Sequence, residues 1–586
     1  MQMTRIPKKV ETQKTHIQRM AELARDRGRI LALPPEKALS EILDHSQPHA
    51  LVRSFAEEDF FFLVHDIGPQ DSLELLSMAS LRQWEYLLDI ESWTKDRFNL
   101  EALTRWMSLL LKADPSRFVR WAMDEKSDQL EYYLFKTSEV IIREHDQDPS
   151  DFGDGFFTFD DVFYVRLPEE QQETDEEEPE TTEEETRHNL VTDLLGRIAE
   201  ADHPFYQQTL LRSTQVIPAE SEEEFFRLRN VRLAEKGFVP FDEAVGIYQS
   251  VPLKNLSKRE KIIRGGNKED MFMPVPLNHL AMMDPGQIFC RALSQIRMED
   301  VFDQIQIEFA GLCNHLIAAD PKPVREREAL KAVVKKACGY LGIGLRRLSG
   351  IKTAPDENRM AAIIRSYPLI DIFRAGYGLA ADVKRQAEEW RKNSWFARNR
   401  LTLHFWGERL MGVIGGLLVK RPLYFDNYKT GVLYREFETM TDIRRTRAAL
   451  RRAMAFDDLF SCLTVDLLPP PKQVLITYKN LLLTLWARHR LGLSATPEPI
   501  PMDRFQPFFI ELWEIAEAGA APAVRESHKT EFLRWLAKES GFTEPEISRN
   551  LGKSLEHLFA EIADEYGRLS PMDLEPRFIN LFLIGD

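Results

Sequence analysis

Leu51 to Trp93 reads LVRSFAEEDFFFLVHDIGPQDSLELLSMASLRQWEYLLDIESW, and one repetition inside it decides how the N-terminal third folds. A shift of 23 residues lays Val52 on Leu75, Phe55 on Met78, Ala56 on Ala79, Phe61 on Trp84, Val64 on Leu87, Asp66 on Asp89 and Ile67 on Ile90. Within each copy the apolar residues recur three apart (Phe61, Val64, Ile67; Trp84, Leu87, Ile90), the spacing of one helix face. Each copy therefore reads as helix, turn, helix. Helices of about 12 residues are marginal alone in water, whereas burying one large apolar side chain contributes roughly 1.5–3 kcal/mol. The copies are expected to stack as a solenoid of helical pairs. A weaker third copy with Ala102, Met107 and Leu110 follows, and Trp106 and Trp121 close the stack. An ordinary helical bundle with a chance register is the alternative.

The chain has 586 residues, 44% of them hydrophobic and 29% charged, the composition of an ordinary globular protein of several domains. Four scattered cysteines, Cys290, Cys313, Cys338 and Cys462, argue against a disulfide framework and for a reducing, cytoplasmic setting. The basic N-terminus MQMTRIPKKVETQKTHIQRM lacks the apolar core of a secretory signal. The most apolar window, Leu401 to Val419, is broken by His404, Glu408 and Arg409, and its remainder is too short to span a bilayer, so no membrane insertion is expected. The net charge of −16 is uneven: Asp320 to Asp458 holds 28 Lys and Arg against 16 Asp and Glu.

In order, residues 1–33 read as a polar, partly helical arm and 34–150 as the helical-repeat domain. In DFGDGFFTFDDVFYVRL, residues 151–168 with Pro168, strand-type residues flank Asp160 and Asp161, so a β-hairpin is expected. Residues 169–186 are mostly Asp and Glu with nothing apolar, and read as a disordered acidic linker. Residues 187–280 form a second helical segment, in which Asn230 to Tyr248 gives a helix, a break at Gly237 to Pro240, and another helix. Residues 281–468 form a basic helical domain. Inside it, Asp371 to Asn399 reads as a surface helix laced by Lys384 with Glu388, Arg385 with Glu389 and Glu388 with Lys392. Gly412 and Gly416 lie four apart in the next helix and allow another backbone to approach. Residues 469–586 form a C-terminal helical domain that opens with the amphipathic segment Lys472 to Leu493. The expected class is mainly α: solenoid-like stacked helical pairs, one β-hairpin and a larger C-terminal helical domain.

The repeat, the hairpin FFTFDDVFYV, the segment RLAEKGFVPFDEAVGIY and the block FWGERLMGVIGGLLVKRPLYF together resemble a family of bacterial proteins of unknown function, over most of residues 30–586. Residues 34–112 are also distantly similar to the helical N-terminal domain of MgtE-type magnesium transporters. The first resemblance implies no activity, and the second implies a superhelical fold with no magnesium ligands.

Chemistry is harder to find. Gly342, Gly344 and Gly350 make no phosphate loop. Cys290, Cys313 and Cys338 are spaced 23 and 25 apart, unlike the close ligand pairs of zinc sites. His65 with Asp66 lacks the partners of a metal centre, and Asp66 reads as a repeat feature. His404 and Glu408 are an acid/base couple at helical spacing, or a packed histidine. No cofactor or catalytic residue is nominated. The most suggestive surface is basic: Arg444, Arg447 and Arg451 share a helix face, with Lys331, Lys335, Lys336, Arg346 and Arg347 elsewhere in the middle region. Such helices can neutralise phosphates, or can be a solvated or docked face. The expectation is a non-enzymatic scaffold whose partner is another protein. Anion or nucleic-acid binding through the basic region is the alternative, and an enzyme site assembled from dispersed residues is the third.

Overall fold

In a computed structural model, residues 8–94, 97–168, 181–261, 282–320, 324–350, 356–463, 476–514 and 522–585 are described. They form two compact units: Met1–Gln249 with Asn255–Cys338 and Ile351–Ile372, and Ser250–Lys254 with Gly339–Gly350 and Phe373–Asp586. The structure is mainly α-helical.

The first unit opens with α1 (Lys8–Leu31), α2 (Pro35–Leu43), α3 (Pro48–Ser54), α4 (Glu57–Ile67), α5 (Leu73–Met78), α6 (Leu81–Glu91) and α7 (Leu100–Ala113). Every second helix packs on the last: α1, α3, α5 and α7 in one row, α2, α4 and α6 in the other. Helices of 6 to 11 residues, such as α3 to α6, cannot stand alone in water. Their burial matches copy for copy. Phe61 and Trp84 are 2% and 0% exposed, and Val52, Leu75, Phe55, Met78, Ala56, Ala79, Val64 and Leu87 are all buried. Side chains also tie copy to copy. Ser80 and Gln83 form a capping box at the start of α6, and the Gln83 amide donates to the Val52 and Phe55 carbonyls at 2.9 and 3.1 Å. The described part of the N-terminal arm, Lys8–Leu31, is helix and joins this row, with Leu23, Ile30 and Leu31 buried.

Next come α8 (Pro115–Asp124) and α9 (Ser127–Thr137). Two short strands, β1 (Trp93–Thr94) and β2 (Arg97–Phe98), pair between α6 and α7. The hairpin is present as β4 (Phe156–Phe157) and β5 (Phe163–Arg166), with Asp161 in the left-handed region at φ 58°. A third strand joins it. β3 (Glu139–Ile142), inside the stretch read as helical repeat, pairs antiparallel with β5 because its Val140, Ile141 and Ile142 favour extended backbone. Of the acidic stretch 169–186, residues 169–180 lie outside the described residues. The remainder is helix, the start of α10 (Thr181–Ala201), held in place by Leu190, Val191, Leu194, Leu195 and Ile198 packing against α7. The unit continues through α11 (His203–Ser213), α12 (Pro218–Glu235), α13 (Phe241–Ala244), α14 (Ile288–Leu293), α15 (Glu299–Ala319), the first half of α16 (Arg327–Ser349) and α17 (Glu357–Ser366).

The second unit takes most of α18 (Leu369–Asn393), then α19 (Trp395–Arg398), α20 (Gly407–Leu418), α21 (Met440–Cys462), α22 (Tyr478–Arg490), α23 (Met502–Glu511), α24 (Glu526–Ser540) and α25 (Glu544–Tyr566). Two sequence expectations change here. α18 is no surface helix, since Phe373, Tyr377, Ala380, Val383, Ala387 and Trp390 recur at helical spacing and are buried. Of its expected pairs, Lys384 meets Glu388 at 2.7 Å, while Arg385 turns to Asp382 at 3.0 Å. α22 is not amphipathic but central: Asn480 to Arg488 are all buried, with Trp486 ringed by Phe508, Phe532 and Phe559. The polar side chains of Thr484 and Arg488, buried on it, are hydrogen-bonded. Thr484 accepts from the Leu583 N–H at 2.8 Å, and Arg488 donates to the Ser494 and Glu498 carbonyls.

Gly412 and Gly416 do admit close neighbours. α20 is followed by β6 (Tyr424–Phe425), paired with β7 (Tyr434–Arg435), and the Phe425 ring fills the space a Gly412 side chain would need. A Cβ on Gly416 would lie 2.7 Å from the Leu423 carbonyl oxygen. Gly416→Ala is therefore expected to cost about 1–3 kcal/mol in urea unfolding. Gly28→Ala, in open space within α1, should instead stabilise by roughly 0.5–1 kcal/mol. A wild-type midpoint for Gly416→Ala would refute the close approach.

Candidate functional site

Arg444, Arg447 and Arg451 all lie on α21, whose start is fixed by a capping box of Thr439 and Asp442. Arg444 and Arg451 are exposed, and Arg447 is half-buried with its Nε hydrogen-bonded to nothing. Among the described residues none of the three forms an ion pair. The other basic residues singled out from sequence do not join them. Lys336 is buried against Asp320 at 3.2 Å, Arg347 donates to the Ala375 carbonyl at 2.8 Å, and Lys331 pairs with Glu328.

Arg452, one residue beyond Arg451, points elsewhere, into a cavity of about 190 Å3 in the second unit. The start of α20 brings Trp406 and Arg409 to it, and α21 brings Arg452 and Phe456 one turn apart. The first residues of α22, Tyr478 and Lys479, form another wall, and the α25 face of Ser554, His557 and Glu561 completes it. The wall is aromatic as well as charged, with the Tyr478 ring 4.8 Å from Phe456 and 6.1 Å from Trp406.

The charges of this cavity do not balance internally. Glu561 is engaged by Lys479, whose ammonium lies 2.6 Å from a carboxylate oxygen. Arg409 and Arg452 have no hydrogen bond or ion pair among the described residues. Burial and then the neighbouring Arg409 charge hold the Arg452 guanidinium below its ordinary value. Burial, followed by Glu561, pushes the Tyr478 hydroxyl up to about 12, so it is a neutral donor at physiological pH. Two guanidinium groups, a phenol and an imidazole face one small space, with its single carboxylate already paired. Such a set favours an anion.

Sequence reasoning does not find this site. Arg409 shows there only as an interruption of an apolar window, and the one signal for Arg452 is its place in the Arg451–Arg452 pair. His404 and Glu408 are both exposed and outside the cavity wall. The cysteines are free, and among the described residues no group of His, Cys, Asp or Glu could hold a metal ion.

The first unit carries a second set of charges, and these are paired. The repeated aspartates each meet an arginine from far along the chain. Asp66 binds Arg327, and Asp89 accepts two hydrogen bonds from Arg232 at 2.8 and 2.7 Å. Glu91 holds Arg325 at 2.9 Å and His65 at 3.4 Å. Burial pulls Glu91 upward, but the hydrogen bond and charge of His65 and the charge of Arg325 leave it below the usual range. Burial outweighs Arg327 at Asp66 and Arg232 at Asp89, and both carboxyls stand above their ordinary value. Glu58, on α4 beside Lys236 at 3.6 Å, is raised by burial to about 7.

Both sets of charges fall within a region, residues 15–585, that matches the profile of a family of unknown function, DUF6178. The chain belongs to the DUF6178 family. No curated protein and no solved structure matches it, and the distant likeness of residues 34–112 to the MgtE-type domain is not shown. Among the described residues of this DUF6178 chain, no helix is long and apolar enough to cross a membrane.

Arg232→Ala in the DUF6178 chain strands the Asp89 carboxylate, and is expected to cost about 2–4 kcal/mol in chemical denaturation. Adding Asp89→Ala should recover more than half of that loss; simple additivity of the two would exclude the pairing. At Glu58 the folded pKa lies above the ordinary value of 4.5. The folded chain therefore binds this proton more tightly, and the contribution to stability is full below pH 4.5 and lost as pH rises to about 7. Glu58→Gln should remove that slope, changing the stability difference from wild type by on the order of 2 kcal/mol between pH 5 and 8. Parallel pH profiles for the two proteins would contradict it.

Proposed function

We propose that the second unit binds a small anionic ligand, with a phosphate or carboxylate group seated between Arg409 and Arg452. The observation that carries the reading is the meeting of two guanidinium groups, neither with a carboxylate partner, in one cavity. An arginine fork matches both anions in bidentate geometry. Pockets that enclose a whole drug-sized ligand run from roughly 300 to 1,000 Å3, so a space of about 190 Å3 suits the charged end of a metabolite. The Tyr478 hydroxyl and His557 add donors, and the faces of Trp406 and Phe456 supply apolar contact for what the anion is attached to.

A scaffold role for the helical repeats draws on the stacked rows of short helices. Against it, the acidic groups Asp66, Asp89 and Glu91 are already taken by the chain's own arginines, so that row has little charge left for a partner. A cytoplasmic setting, with its pool of phosphorylated and carboxylated metabolites, fits the four free cysteines. The second reading, polyanion binding along α21, rests on Arg444, Arg447 and Arg451 standing without ion pairs.

Isothermal titration with inorganic phosphate, pyrophosphate and citrate at low salt tests both. The cavity reading expects binding of at least one of the three, weakened about tenfold or more by Arg452→Ala or Arg409→Ala, the loss of one charge-assisted contact. It expects no change when Arg444, Arg447 and Arg451 become Glu. Absence of binding, or binding unaffected by either cavity substitution, refutes it. Titration with single-stranded DNA that is steeply salt-dependent and abolished by the triple substitution would favour the α21 face instead.

A further inference from the structure

The cavity of the second unit lies at two helix N-termini. Trp406, Gly407, Arg409 and Leu410 on its wall are the N-cap and first turn of α20, and Tyr478 and Lys479 are the first two residues of α22. The leading N–H groups of a helix have no partner inside it, and the aligned peptide dipoles leave that end partly positive. Such ends accept anions. At α20, 12 residues long, no side chain caps the end among the described residues. At α22 the capping box covers only part of the end. Thr477 accepts from the Asn480 N–H at 3.2 Å, and Asn480 accepts from the Thr477 N–H at 2.8 Å. The box leaves out the N–H groups of Tyr478 and Lys479, the two residues that line the cavity.

A side chain on the same wall is also short of a partner. Trp406 is 1% exposed, and its buried indole N–H has no hydrogen bond among the described residues. An indole nitrogen can only donate, and a buried donor left without an acceptor is costly. Charge narrows the ligand further. Lys479 and Glu561 offset each other, which leaves the positive charges of Arg409 and Arg452 uncompensated. A carboxylate brings a single negative charge and a pair of oxygens. A phosphate monoester brings about −1.5 to −2 at pH 7 and three strong acceptor oxygens. A phosphodiester has a single charge, and two of its oxygens are tied up in ester bonds.

Resting on the reading of this cavity as an anion site, we propose that its ligand is a phosphate monoester. The dianion sits between Arg409 and Arg452, and its remaining acceptor capacity is taken up by the Trp406 indole N–H and the N-terminal turns of α20 and α22. Two negative charges answer two guanidinium groups, and three terminal oxygens serve donors that a carboxylate would leave unmet. The organic part of the ester leaves past Tyr478, which is half-buried at the cavity wall. Nucleic acids and phospholipid backbones present diesters, so the cavity differs in kind from the exposed α21 face, where a polyanion would be held by charge alone.

The test is isothermal titration of the full chain at about pH 8, where the monoester is a dianion, with three probes that share one ring: phenyl phosphate, benzoate and methyl phenyl phosphate. Phenyl phosphate is expected to bind about tenfold or more tightly than either of the others, the difference of at least one charge-assisted hydrogen bond. Arg452→Ala should abolish that preference. Trp406→Phe keeps an aromatic ring without the N–H, and should weaken phenyl phosphate about threefold to tenfold. Benzoate or the diester binding as tightly as phenyl phosphate would overturn the monoester assignment and leave the anion reading standing. Failure of all three probes, together with inorganic phosphate and pyrophosphate, would remove the anion reading and the assignment with it. The probe series runs on the wild-type chain, so it decides the question even if Trp406→Phe folds poorly.

Discussion

A carboxylate partly or wholly withdrawn from water near the ends of α4 and α6 is the constraint around which the first unit is assembled. α4 carries Asp66 one residue before its last, Ile67, and α6 carries Asp89 at the matching place. A carboxylate taken out of water costs several kcal/mol unless a cation and further hydrogen bonds meet it. Arg327 and Arg232 do so, from α16 and α12. The repeats therefore cannot be finished by their own residues, however regular their stacking. They need segments that arrive well over a hundred residues later, and those segments are positioned by the charges they neutralise. Hydrophobic burial sets the pile of short helices. The ion pairs decide what lies against it.

The second unit solves the opposite problem. α21 carries Arg444, Arg445, Arg447, Arg451 and Arg452 within a few turns, and among the described residues no carboxylate forms an ion pair with them. Most of these guanidinium groups reach water, where an unpaired charge is cheap. Arg452 is partly withdrawn from it, and shares its cavity with Arg409. Trp406, Phe456 and Tyr478 line the same space, in which Arg452 is half-buried and Arg409 exposed. An anion entering the space, as proposed above, would relieve the repulsion between Arg452 and Arg409.

Buried polar groups also explain where periodicity misleads. α22 looks two-faced in sequence because Asn480, Thr484 and Arg488 fall on one side of it. In the fold that side is as deeply buried as the other, and each of the three is satisfied by a neighbour: Asn480 by the capping box at the start of α22, Thr484 by the Leu583 N–H, Arg488 by carbonyls of the loop after its own helix. A polar residue marks a solvent face only when nothing else supplies its hydrogen bonds. The strand Glu139–Ile142 escapes sequence reading for a related reason. Four residues give too little pattern to stand out beside the helices, and the segment is a strand because β5 offers it an edge.

The amino-acid sequence by itself determined the helical class, the two-copy repetition and which side chains of it are buried, down to the equivalence of Phe61 with Trp84. It also marked the hairpin around Asp160 and the close approach at Gly412 and Gly416. These are properties of neighbours along the chain, which periodicity and local backbone preference express directly. The tertiary structure alone decided which charges meet: Asp89 with Arg232, Asp66 with Arg327, Arg409 with Arg452. Those encounters depend on distances in space between residues remote in sequence, and no local pattern carries that information.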